Sequence, residues 1–110
     1  LSLAGTDAKS GRMMATDYII EDGVCKLTDR SAFAGSIATT DRLVRVMRDE
    51  VGVPLRDAVA MAADVPAQIM GLRKGRLAAG YDADVIVFDD DVRVSAAWVR
   101  GERVPLSAKE

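Results

Sequence analysis

Residues 74–89 read Lys-Gly-Arg-Leu-Ala-Ala-Gly-Tyr-Asp-Ala-Asp-Val-Ile-Val-Phe-Asp, and this stretch decides the fold. Gly75 and Gly80 sit where tight turns need a residue free to take positive φ. Leu77 is placed to anchor the loop between them, within a turn at Leu77–Gly80. The short carboxylate of Asp84 can bond main-chain N–H groups just before the next element. Val85-Ile86-Val87-Phe88 is an unbroken β-branched and aromatic run, the pattern of a buried strand. Asp89-Asp90-Asp91 lacks the spaced oxygen ligands of a calcium loop and reads as a turn. A second strand is expected over Val92–Arg100, with Val94, Ala96 and Trp98 alternating against Arg93, Ser95 and Ala97. Gly101-Glu102 then turns into a third strand at Arg103-Val104, and the tail from Ser107 is expected to fray.

Upstream the period is helical. A helix is expected over roughly Ser36–Val51, with Ser36, Thr39 or Thr40 as its cap. Val44, Met47 and Val51 fall on one side, while Arg42, Arg45 and Arg48 read as a solvated face rather than a phosphate site. Gly52 closes it. Pro54 opens a second helix that runs to about Ala63, with Leu55, Val59 and Ala62 on one face. A third, short helix starts at Asp64-Val65-Pro66 and ends at Gly71. Met47, Met61 and Met70, with Met13 and Met14, read as core fillers. Before the helices, Tyr18-Ile19-Ile20 and Val24-Cys25-Lys26-Leu27 flank Asp22-Gly23, the strongest short hairpin signal. Residues 1–16 and Ser31–Ser36 read as loop.

With 110 residues the chain suits one modest domain, and 49 % hydrophobic against 29 % charged residues excludes a disordered composition. A net charge of −2 without a basic block gives no reason to expect nucleic acid or an anionic membrane. No apolar run approaches the ~20 residues needed to span a bilayer. One cysteine, Cys25, cannot form an internal disulfide, which fits a reducing, cytoplasmic setting, and no histidine stands ready to activate it. The lack of histidine also means that imidazole-dependent metal chemistry must come from elsewhere. The chain begins at Leu1 rather than Met and runs at once into a loop-like stretch, so a piece of a longer chain is expected. Helices with single apolar stripes and strands with unpaired edges point the same way.

The stretch quoted first resembles a C-terminal segment of the amidohydrolase superfamily, matched at Gly75, Leu77, Gly80, Ala83, Asp84 and Asp89. In that superfamily it belongs to a small β-domain beside a (β/α)8 barrel. Phe33-Ala34-Gly35-Ser36 with Thr39 is similar to a segment of the N-acetylglucosamine-6-phosphate deacetylases within it, although Phe33 stands where leucine is usual. Ala58, Ala62, Pro66, Ala67, Met70 and Gly71 follow the same family's packing pattern.

The resemblance implies an α/β fold: the C-terminal portion of a (β/α)8 metal-dependent hydrolase barrel in residues 1–73, and strands of the small β-sandwich domain in 74–110. It implies hydrolysis of the acetamide of N-acetylglucosamine 6-phosphate by the longer enzyme, in amino-sugar metabolism. A divalent metal, zinc or iron, and a homodimer are also implied. Substrate contact carries over to Phe33, Ala34 and Gly35. The family's catalytic aspartate falls just before Leu1. Thr6-Asp7-Ala8 imitates its motif, but no strand supports Asp7, which reads as a solvated loop residue. The 110 residues alone are therefore expected to hold no catalytic metal and to be inactive. Two other readings remain open: a dihydroorotase-like or hydantoinase-like amidohydrolase, and a non-catalytic dimerisation module.

Overall fold

The computed structural model describes residues 4–106, which divide into two compact units on either side of the Thr39–Thr40 bond. The first unit is a four-stranded antiparallel sheet in simple meander order: β1 (Ser10–Met13), β2 (Thr16–Glu21), β3 (Val24–Leu27) and β4 (Phe33–Gly35). The expected hairpin forms at β2–β3. Glu21 pairs with Val24 across a two-residue turn, and both Asp22 and Gly23 take positive φ, 53° and 74°. That is the type I′ geometry whose twist suits the flanking strands. Asp22 pays little for it, because Asp tolerates the left-handed region better than most residues.

Two further strands replace segments expected as loop. Ser10–Met13 pairs with β2 from Ser10↔Ile19 to Met13↔Thr16, turning at Met14 with φ 56°. No glycine or asparagine marks that turn, and Ser-Gly-Arg-Met carries no alternation, so nothing local announces the strand. Phe33–Gly35 adds to the other side of β3 as a short edge strand. Register, rather than propensity, makes both strands.

In an antiparallel pair, opposed residues share a face. Ile20, Cys25 and Gly35 therefore line one face, with Tyr18 and Leu27 beside them. Tyr18 and Cys25 are its buried members, at 2 % and 1 % exposure. Cys25 is thus more deeply covered than a thiol poised for reaction would be. The Tyr18 hydroxyl is buried without a hydrogen-bond partner among the described residues.

The second unit sets three helices with a three-stranded antiparallel sheet: α1 (Thr40–Asp49), α2 (Leu55–Ala62), α3 (Asp64–Ile69), then β5 (Val85–Phe88), β6 (Val94–Val99) and β7 (Glu102–Val104), in sheet order β5-β6-β7. α1 starts four residues later than expected. The Ser36 hydroxyl accepts the N–H of Ala38 at 3.1 Å, closing a local turn that competes with helix. Its end follows the expectation: Gly52 stands at φ 81° and the Val53 N–H reaches back to the Met47 carbonyl at 2.9 Å.

Val44, Ala58 and Val92 form the buried centre of this unit, with Met47, Val53, Leu55, Val59, Ala62 and Phe88 packed around them. Fully burying a valine, leucine, methionine or phenylalanine side chain contributes about 1.5–3 kcal/mol, and an alanine methyl less. Of the methionines read as core, only Met47 takes part. Met13, Met14, Met61 and Met70 are exposed, and so is Val51, because α1 unwinds before its stripe is complete.

In this unit β6 departs from simple alternation. Opposed to β5, β6 pairs Ala97 with Ile86 and Ala96 with Val87, yet Val94 with Phe88. The register therefore slips at Ser95, whose hydroxyl donates to the Val87 carbonyl at 3.2 Å. This bulge puts Val94 and Ala97, three residues apart, on one face with Ile86 and Phe88. Ala97 is buried as a result, and Trp98 falls on the opposite face from Val94. A strict period of two cannot anticipate the inserted residue.

Candidate functional site

Phe33, Ala34 and Gly35 lie together on β4, the edge of the first sheet. The approach to this strand is pinned by charge. Arg30 donates to both oxygens of Glu21, at 2.7 and 3.1 Å, from a left-handed conformation at φ 61°. That bidentate bond, more than the charge of Arg30 or Lys26, holds the Glu21 carboxyl below its ordinary pKa. One residue earlier, Asp29 accepts from both the N–H and the hydroxyl of Ser31, at 2.9 and 2.7 Å, which also lowers its pKa. The chain enters β4 with its loop closed on itself.

The three residues then present different aspects. The register along β3 shifts between Cys25 and Lys26, so Gly35 pairs with Cys25 while Phe33 pairs with Lys26. Gly35 backs the face that carries Cys25 and has φ 142°, a conformation that side chains disfavour. Phe33 is 78 % exposed. Ala34, half-buried, lies between them. An edge strand keeps one flank of main-chain donors and acceptors unpaired by the sheet. The arrangement offers a ligand main-chain polar groups, an uncovered aromatic ring and, at Gly35, room for close approach.

Asp7 lies exposed before β1, in a segment assigned to no helix or strand. The nearby Thr6 hydroxyl accepts the Ala8 N–H at 3.4 Å. Among the described residues, no three His, Cys, Asp or Glu side chains come together as a metal could require. With histidine absent from the sequence and Cys25 buried, the donors present do not fit a divalent-metal centre.

The stretch from Lys74 to Asp89 is structural, and its geometry goes further than turn chemistry. A Cβ on Gly75 would stand 2.8 Å from the Ala63 carbonyl carbon and oxygen and from the Asp64 Cα, so the loop lies directly against the α2–α3 junction. Arg76 fastens it there with two bonds to Asp64, at 2.6 and 3.0 Å. Lys74 bridges Asp82 at 2.8 Å and also meets Asp84. Asp84 accepts the Arg100 N–H at 2.8 Å, tying the loop before β5 to the turn after β6 as its sequence position suggests. The bond from Lys74, then that from Arg100, lowers the Asp84 pKa. Leu77 does not anchor the loop; it projects, 82 % exposed.

Sequence reasoning missed the task of the α1 arginines. Arg45 donates to the Val92 carbonyl at 3.0 Å while pairing with Asp41 at 2.8 Å, and Arg48 donates to the Asp90 carbonyl. Both grip the β5–β6 turn, where buried Val92 holds φ 58° and Asp89 accepts the N–H groups of Asp91 and Arg93. A β-branched residue at positive φ needs such support. Only the spacing of Arg45 and Arg48 on one side of a helix hinted at a shared target.

The Amidohydrolase family profile matches residues 3–104, and the chain belongs to that family. Within it, the chain is similar to the N-acetylglucosamine-6-phosphate deacetylase of Danio rerio, at 41 % identity over 76 residues, covering 67 % of this chain and 19 % of the relative. It is also similar to the N-acetylgalactosamine-6-phosphate deacetylase of a Shewanella strain, at 34 % identity over 85 residues, covering 76 % of this chain and 22 % of that protein. The crystal structure of N-acetylglucosamine-6-phosphate deacetylase from Pasteurella multocida superposes with a TM-score of 0.85 at 27 % identity, over 92 % of this chain and 27 % of that one. The chain thus spans about a fifth of the length of the curated relatives it matches.

Proposed function

We propose that these residues work within a longer N-acetylglucosamine-6-phosphate deacetylase, as its C-terminal part. The reaction adds water across the acetamide: the water oxygen bonds to the carbonyl carbon, the C–N bond breaks, and the amine leaves with a proton. Acetate and glucosamine 6-phosphate are the products. The observation that carries this reading is the 0.85 superposition over 92 % of the chain on an enzyme of that activity.

Within that enzyme, Phe33, Ala34 and Gly35 are assigned to substrate contact, supported by their edge position and the open φ of Gly35. Residues 1–73 are read as the end of the barrel and 74–110 as strands of the small β-domain. The longer enzyme is read as cytoplasmic, homodimeric and dependent on zinc or iron held by residues outside these 110. Among the described residues no helix is long and apolar enough to cross a membrane.

The test compares acetate release from N-acetylglucosamine 6-phosphate by the full-length protein and by the 110-residue chain. Release by the full-length protein alone is expected. Hydrolysis of dihydroorotate or a hydantoin instead would transfer the chain to another amidohydrolase. Turnover by the 110 residues themselves would overturn the assignment of catalysis to the remainder.

A further inference from the structure

Of the three residues assigned to substrate contact, Ala34 and Gly35 have no side-chain group that can read a sugar hydroxyl. Phe33 has the one side chain there able to tell hexoses apart. Its ring is 78 % exposed on an edge strand. Its cross-strand neighbour Lys26 directs its ammonium to Asp22, at 3.3 Å, and to Glu21, at 3.8 Å. The cation–ring contact found among the described residues is Arg103 over Trp98, in the other unit.

We propose that Phe33 is a specificity-determining residue that favours the galacto over the gluco configuration at C4 of the N-acetylhexosamine 6-phosphate. The inference rests on the contact assigned above. In the galacto epimer the axial C4 hydroxyl leaves the hydrogens of C3, C4 and C5 on one face of the pyranose, a continuous C–H patch. In the gluco epimer the C4 hydrogen lies on the opposite face from those of C3 and C5, and the patch is broken. The face of an aromatic ring is electron-rich and attracts such polarised C–H groups, which a branched aliphatic side chain of similar bulk does not. Apolar contact discriminates weakly, so the preference is graded rather than absolute.

The test uses the full-length protein and kcat/KM for N-acetylgalactosamine 6-phosphate relative to N-acetylglucosamine 6-phosphate. If turnover of the galacto sugar falls below detection, its competitive inhibition constant supplies that arm. Phe33→Leu is expected to lower the galacto-to-gluco ratio by about two- to tenfold, and Phe33→Tyr, which keeps the ring, to preserve it. Thermal denaturation of each variant beside the parent separates a loss of folding from a change of preference. A ratio unchanged in Phe33→Leu, or raised, overturns the inference. If Phe33→Leu and Phe33→Ala leave both sugars unaffected, the contact itself is wrong. Failure of the parent protein to hydrolyse either sugar would instead sink the deacetylase reading.

Discussion

Replacing Gly75 by alanine isolates what the loop at Lys74–Asp84 contributes, because Gly80 supplies a matched control. Both glycines hold nearly the same φ, +78° and +82°. An alanine in that region costs about 1–2 kcal/mol. Around Gly80 an added methyl meets nothing within 4 Å. The entropy that alanine removes from the unfolded chain returns about 0.4–1 kcal/mol, so Gly80→Ala should cost on the order of 1 kcal/mol or less. At Gly75 the methyl would sit 2.8 Å from three main-chain atoms of Ala63 and Asp64, which no rotamer change can clear. Such overpacking adds about 1–3 kcal/mol, and the loop would lift away from the α2–α3 junction against the Arg76–Asp64 bonds. Gly75→Ala should therefore lose about 2–4 kcal/mol, several times the control. Urea denaturation followed by the fluorescence of Trp98, the single tryptophan and a member of β6 in the same unit, reads both variants. Equal shifts of the two midpoints would refute the close-approach argument and leave backbone conformation as the whole cost.

Two other outcomes test the electrostatics and the buried polar group. Asp84 has a lowered pKa, first through Lys74 and then through the Arg100 N–H. Its contribution is thus complete above the ordinary aspartate range and is lost as pH falls through the lowered value. Asp84→Asn should flatten the acid limb of the stability–pH curve below about pH 4, and an unchanged limb would remove Asp84 from the account. Lys74 has the opposite sign: its pKa is raised, first by Asp82, so its contribution fades only as pH climbs through that raised value. Tyr18→Phe should leave stability unchanged or raise it by up to ~1–3 kcal/mol, since it deletes a buried hydroxyl with no partner among the described residues. A clear loss in thermal denaturation would reveal a bond to that oxygen.

The sequence by itself determined the elements whose chemistry is local. Asp22-Gly23 makes its turn because two adjacent residues tolerate positive φ. Gly52 ends α1 because a left-handed residue lets the chain leave the helix, and Val85–Phe88 forms a strand as its branched side chains predict, although Ile86 and Val87 are exposed rather than buried as that run suggested. Resemblance alone proposes Phe33–Gly35 as a contact, and nothing in the sequence marked these residues as an edge strand. Tertiary structure decided what depends on partners distant in sequence. Ser10–Met13 and Phe33–Gly35 are strands only because β2 and β3 offer unpaired edges. Ala97 is buried, and Trp98 reversed, because a bulge at Ser95 shifts the register against β5. Arg45 and Arg48 serve a turn more than 40 residues away, at Asp90 and Val92. Gly75 matters for the main chain it touches at Ala63 and Asp64 as well as for its φ. Positive φ and helix ends are written in one or two neighbouring residues; register, close approach and long-range hydrogen bonds exist only once two segments meet.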